Sequence, residues 1–246
     1  MFRAIRQIGI LLLLLPLLGA CGTDTMSADR IFDPFEETNR QIHALNKAVD
    51  SIALAPTSTV YGAMVPEEIR DAIDNSANNL ALPGQVINPT LQGELENAVL
   101  TALRFTLNST LGLAGLFDPA SDFGLLALPT DFGETLAVYG FSEGPYLELP
   151  LLGGSTVRGT VGIVVDFVLD PLGVYIPTPT REYLFLLKGV DIIGDRLTYS
   201  DLVDTLLYES SDSYASQRIA YLQNLRYYVE IEPKIEDLED PFAFDY

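Results

Sequence analysis

The chain is 246 residues long and strongly acidic, with 34 Asp+Glu against 14 Lys+Arg, one histidine, one cysteine and no tryptophan. A formal charge of −20 repels nucleic acid, whose binding rests on neutralising phosphate charge, and so argues against a nucleic-acid partner. Acidic disordered chains are poor in apolar residues, whereas this one is 48% hydrophobic with a mean hydropathy of +0.23, so it is expected to fold.

Arg3 and Arg6 precede a charge-free apolar run from Ile8 to Leu18, closed by Leu18-Gly19-Ala20-Cys21. A basic start, a short apolar middle and small residues at the cut site make residues 1–20 a secretory signal. The run is far short of the roughly 18–20 apolar residues that a membrane-crossing helix needs. Small residues before a cysteine also resemble the lipobox of bacterial lipoproteins, in which the cysteine becomes the acylated first residue. Cys21 has no second cysteine to pair with. A lone thiol in an oxidising compartment is a liability unless it is modified. The expectation is therefore a mature chain beginning at lipid-modified Cys21; the alternative is an ordinary secreted protein whose cysteine lies at the cut. Gly22 stands where an aspartate would retain a lipoprotein at the inner membrane, which points to the outer membrane. Removing Arg3 and Arg6 leaves 12 Lys+Arg against 34 Asp+Glu, a formal charge of −22.

Residues 21–32 are small and polar and read as a tether. Asp33-Pro34-Phe35-Glu36 predicts a helix start, with Asp33 as cap, Pro34 at the first helical position and Glu36 three after the cap. Ile42, Leu45, Val49 and Ile52 follow at helical spacing, so this helix is expected to be amphipathic and to stop before Pro56. Pro66-Glu67-Glu68 starts a second helix, with Ile69, Ala72, Ile73 and Leu80 on one face and Pro83-Gly84 as its end. A third is expected from Glu94 to Asn108, with Leu95, Val99, Ala102 and Leu103 inward.

Gly112 and Gly115 break the pattern, and the Gly-, Pro- and aromatic-rich chain from Leu116 to Ser155 fits short helices, a hairpin or an ordered loop. Gly159 to Leu169 is apolar and β-branched, and its periodicity does not choose between strand and helix. Tyr183 to Ile193 and Asp201 to Tyr228 read as further helices, the second carrying Leu202, Leu206, Tyr214, Ile219, Leu222 and Leu225. Residues 229–246 are acidic and expected to be loosely ordered. The sum is an all-α, mostly helical chain with a single domain over 33–228. From Leu80 to Leu116 the only charges are Glu94, Glu96 and Arg104, and from Val157 to Pro179 only Arg158, Asp166 and Asp170. Such stretches are either a well-buried core or a surface that meets lipid.

Nothing assembles into catalytic chemistry. His43 is the only histidine and sits on the first amphipathic helix, read as a structural surface residue. No Gly-x-Ser-x-Gly elbow is present, and Gly153-Gly154-Ser155-Thr156 lacks the lysine and spacing of a phosphate loop. With one cysteine and one histidine a zinc site is not expected, and no cofactor is expected either. Glu36-Glu37 and Glu67-Glu68 lie in first helical turns, where the macrodipole accounts for them.

Several stretches together resemble the MlaA family of outer-membrane lipoproteins, also called VacJ. Asp33-Pro34-Phe35-Glu36 with Asn39-Arg40 and Asn46 is similar to its opening motif, and Asn75, Asn79-Leu80, Pro83, Asn88 and Leu91-Gln92-Gly93 to its second. Arg104-Phe105-x-x-Asn108-Ser109-Thr110-Leu111-Gly112, with Gly115-Leu116-Phe117-Asp118 and Ala120-Ser121, is similar to the third. Asp131-Phe132-Gly133-x-Thr135-Leu136, Gly144-Pro145-Tyr146, Leu149-Pro150 and Gly153-x-Ser155-Thr156-x-Arg158 follow, with Ser211-Asp212-x-Tyr214 and Tyr221 near the end. The chain departs from the pattern at Tyr139-Gly140-Phe141-Ser142, at Gly159 and at Ser76.

The resemblance implies a helical, ring-like protein on the periplasmic side of the outer membrane. Its amphipathic central channel would remove misplaced phospholipids from the outer leaflet and pass them to a soluble periplasmic carrier, with trimeric porins as membrane partners. A structural lipoprotein that only tethers or organises porins is the alternative. Asp166 and Asp170 are expected to face the ring interior or a water-filled mouth, because unpaired charge at membrane depth costs ~2.5–3.5 kcal/mol. The loop from Gly140 to Gly144 is a candidate gate, or a set of tight turns. Asn39, Arg40 and Asn46 are a candidate latch, or caps and local hydrogen bonds.

Overall fold

The computed structural model describes residues 33–126, 128–170 and 180–235. The leader, Cys21, the tether, residues 171–179 and the tail beyond Ile235 lie outside the described residues. From Phe35 onward the chain groups into one compact unit.

Helix α1 (Glu36–Val49) starts at Phe35 without a side-chain cap, later than the Asp33-Pro34 frame predicts. Glu36 and Glu37 offset the dipole there, and Arg40 pairs with Glu36 one turn on. Pro56 does not stop this helix. The ladder widens into a π-helical turn at Asp50–Leu54 and resumes as α2 (Ala55–Met64), with Pro56 in its first turn. The wider turn shifts the carbonyl that would meet the proline ring, and a first-turn proline needs no N–H.

Helix α3 (Glu67–Gln85) likewise runs through Pro83 rather than ending there. Packing against neighbouring helices supplies most helical stability, so one lost ladder bond is tolerated. After α4 (Ile87–Gln92), Gly93 takes φ +86 and turns the chain into α5 (Leu95–Thr110). Two short helices, α6 (Pro119–Asp122) and α7 (Phe132–Val138), lead to an antiparallel hairpin of β1 (Tyr146–Leu149) and β2 (Gly153–Thr156).

The apolar stretch left open between strand and helix is helix α8 (Val157–Leu169). Thr156 caps it, its hydroxyl accepting from the Gly159 N–H at 3.1 Å. Helix α9 (Thr180–Thr198) is followed by α10 (Ser200–Asp204), a second π-helical turn at Thr205–Glu209, and α11 (Ser213–Ile235). The single helix expected from Asp201 is thus broken at Ser210 to Asp212. Short polar side chains compete with the backbone there: Ser210 Oγ donates to the Leu206 carbonyl and Asp212 accepts from the Ala215 N–H. At the other end α11 runs to Ile235, past the expected boundary, because extending a formed helix adds a bond for each residue fixed.

The elements close on one another in a ring. α1 packs on β1 and leads through the first π turn to α2; α2 packs on α9, α9 on α3, α3 on α4, α4 on α7, α7 on α8, and α8 returns to the hairpin. α11 lies on β2 and the second π turn. The tightest seam is between α7 and α8, where a Cβ on Gly162 would come 2.4 Å from the Gly133 nitrogen. The fold is mostly helical and ring-like as expected. Among the described residues no helix is long and apolar enough to cross a membrane.

Candidate functional site

The packed interior is largely polar, and much of the exposed surface is apolar. Among the described residues fifteen polar or charged side chains are buried against seven hydrophobic ones, of which Tyr146, Tyr214 and Leu222 form the one small cluster. Helix α5 shows the inversion most plainly. Leu95, Val99 and Leu103, expected inward, are 65%, 58% and 46% exposed, while Asn97, Thr101, Arg104 and Asn108 are buried. Ala102 is exposed with them. On α1 and the π turn after it, Leu45 and Ile52 are exposed and Asn39, His43 and Asp50 buried; on α3, Ile69 is exposed and Asn79 buried. Leu202 and Ile219 are exposed as well. The helical periods hold, and on α5 the sides are reversed, because an apolar stripe turns inward only where the surroundings are water; on α11 Tyr214 and Leu222 are buried as their spacing predicts. Exposed apolar surface on this scale marks a membrane or a partner.

The candidate latch residues tie α1 to the hairpin. Asn39 Nδ2 donates to the Tyr146 carbonyl at 3.0 Å and its Oδ1 accepts from the Glu148 N–H at 3.0 Å, so the side chain stands in for a third strand. Asn46 repeats this at the turn, donating to the Leu149 carbonyl at 2.9 Å and accepting from the Leu151 N–H at 2.8 Å. Arg40 makes a two-pronged pair with Asp212 at 3.0 and 2.8 Å and lies 4.6 Å from the Tyr214 ring centre. Hydrogen bonds from Arg40 and from the Ala215 N–H hold the Asp212 carboxyl low, at about 2. His43 is not a surface residue: it is buried, hydrogen-bonded to Ser213 at 2.9 Å and edge-on to Tyr214. Its neighbour is the buried Glu148 carboxylate, which accepts from Tyr146, Gln217 and Asn46.

The other candidates lie elsewhere on the ring. Asp166 turns away from the exposed Phe167, Val168 and Leu169, accepting from Asn88 Nδ2 at 2.9 Å and from the Phe132 N–H at 3.0 Å. Asp170, at the end of α8, pairs with Lys188 at 3.7 Å. Gly140 and Gly144 have φ +83 and +71, and a Cβ on Gly140 would meet nothing. The loop between them is braced by Arg158, which donates to the Phe141 carbonyl, and by an Arg226–Glu143 pair at 2.6 Å.

A cleft of about 730 Å³ opens between α2, the start of α3, the end of α9 and the second π turn. Sequence reasoning singled out none of its side chains. Arg196, from α9, reaches Asp50 in the first π turn at 2.7 and 3.1 Å and Asp204 at 2.6 Å, and Tyr208 donates to the same Asp50 at 2.8 Å. The two π turns thus meet on Asp50, which Arg196 of α9 and Tyr208 of the second π turn both bond, and only a three-dimensional contact joins residues this far apart in the chain. Where α3 and α9 pack together, burial and the carboxylates of Asp195 and Asp74 push Asp191 up to about 6. An acid whose folded value is raised binds its proton more tightly when folded, so stability falls as pH rises from about 4 through about 6. Unfolding midpoints at pH 5 and pH 7.5 are expected to differ in that direction, and Asp191→Asn to reduce the difference; an unchanged difference in the variant would assign it elsewhere.

The family model for the MlaA lipoprotein matches residues 31–228. The chain belongs to the MlaA family. An MlaA relative is the intermembrane phospholipid transport system lipoprotein MlaA of Haemophilus influenzae, 31% identical over 224 residues, covering 89% of this chain and 88% of that one. The Escherichia coli protein of the same name is 30% identical over 213 residues, covering 84% and 82%. An uncharacterised protein of Rickettsia bellii is 33% identical over 194 residues, covering 78% and 75%. A solved chain from work on the structural basis for maintenance of bacterial outer membrane lipid asymmetry superposes with a TM-score of 0.65 at 31% identity, over 78% of this chain and 96% of that one. Within the MlaA motifs the structure separates the roles: the opening motif holds the hairpin, and the third builds the network around Asp118.

Proposed function

We propose that the protein is a lipoprotein of the outer membrane, anchored through acylated Cys21 on the periplasmic side, that removes mislocalised phospholipids from the outer leaflet. The lipid passes along the polar interior of the ring, head group inward, and is received by a soluble periplasmic carrier; a trimeric porin is the membrane partner. The observation that carries this reading is the polarity of the fold: large apolar side chains are exposed, as suits a body seated in one leaflet, while polar ones are buried. Family membership and the names of its relatives support it. Moving lipid down a gradient needs no nucleophile or general base, and we read the protein as a transporter component rather than an enzyme.

The test is phospholipid exposed on intact cells, measured with a probe confined to the outer leaflet. Deleting the gene is expected to raise it, with rescue by the wild type and not by Cys21→Ala. An unchanged outer leaflet with porins mislocalised would replace this reading with a tethering role.

A further inference from the structure

Arg70 sits in the first turn of α3 and lines the cleft opposite Ser58, Thr59 and Ser200. Its Nε is shut off from the surface without a hydrogen-bond partner, and among the described residues the guanidinium makes no ion pair. The second arginine of the cleft is the opposite case, since Asp50 and Asp204 neutralise Arg196 fully. Two cations therefore share one cavity, and one of them is left with its donors uncommitted. A partly buried guanidinium without an anion is unfavourable, and its planar fork of donors matches phosphate oxygens better than any other side chain does. The cleft, about 730 Å³, falls within the roughly 300–1,000 Å³ of ordinary ligand sites.

We infer that the Arg70 guanidinium is a docking point for the phosphodiester of a phospholipid head group within this cleft. The inference rests on the transport reading and adds to it the place where the head group is held. Arg196, locked by its carboxylates, shapes the wall and does not compete for the phosphate. The acyl chains would leave the cleft toward the apolar exterior, where Val60 and Met64 of α2 are 55% and 77% exposed.

The experiment uses the full-length protein in phosphate-free detergent, titrated with a short-chain phosphatidylethanolamine, with diacylglycerol and with inorganic phosphate. Arg70→Ala is expected to weaken phospholipid binding about tenfold, as for loss of a charge-assisted hydrogen bond, with Arg70→Lys in between and diacylglycerol binding unchanged. Because Arg70 carries no internal pair, the variants should keep the wild-type circular dichroism; Arg70→Gln is a second neutral variant should alanine alter it. Equal phospholipid binding by wild type and both neutral variants would overturn the inference and leave the transport reading standing. Phosphate binding that needs Arg70, without phospholipid binding by the wild type, would keep an anion site and sink the transport reading. Binding of neither would sink both.

Discussion

Replacing Asp118 with alanine is expected to destabilise the fold by about 3–5 kcal/mol, the usual cost of stranding a buried charge. Asp118 accepts from Arg104 Nη2 at 2.9 Å, from Asn108 Nδ2 at 2.7 Å and from the hydroxyl and N–H of Ser121. Burial alone would push its carboxyl up, but the hydrogen bonds from Ser121, Asn108 and Arg104 outweigh that and hold it below the usual range. The Arg104 side chain is only 8% exposed, and without Asp118 it keeps Ser121 Oγ and the Leu125 carbonyl but no counter-charge. Asn108 loses a partner as well, while its Oδ1 still takes the Ala120 N–H at 3.1 Å. Thermal or denaturant unfolding in detergent measures the loss, and Asp118→Asn should fall between the two. A loss under about 1 kcal/mol would mean that the network is no stronger than a surface pair.

Charge on the outer face of α8 should act on seating in the membrane and leave folding alone. Phe167 and Val168 are 71% and 64% exposed, and Ile163 faces the same way at 42%. An aspartate at hydrocarbon depth costs ~2.5–3.5 kcal/mol, so Phe167→Asp together with Val168→Asp should release much of the protein on alkaline extraction of membranes. The same double variant should unfold in detergent near the wild-type midpoint, because neither side chain fills the core. Full retention in the membrane fraction, with normal outer-leaflet lipid, would show that this face does not meet hydrocarbon.

The sequence showed helices and their periods well, and the buried side of α11 at Tyr214 and Leu222, but the side of α5 badly. Leu95, Val99 and Leu103 mark the phase of α5 correctly. Their direction depends on what surrounds the ring, which a single helix does not encode. The prolines misled for a related reason: Pro56 and Pro83 are stops only for a helix that must keep every bond of its own ladder, and here a π turn and close packing absorb them. Motif spacing read well where partners are local. Arg104 and Asn108, one turn apart, converge on the single carboxylate of Asp118. The cleft was invisible, because Asp50, Arg70 and Arg196 belong to different elements and no spacing joins them.

The small size of the apolar core has a consequence for how the protein behaves in water. A water-soluble domain hides its oily side chains by folding, whereas this one still displays Leu95, Ile52, Phe167 and their neighbours after it has folded. In water that surface would seek its like on other copies, so the folded protein is soluble only while something apolar covers it. Whatever covers it, detergent or leaflet, also binds the native state in preference to the unfolded one and so contributes to its apparent stability by mass action.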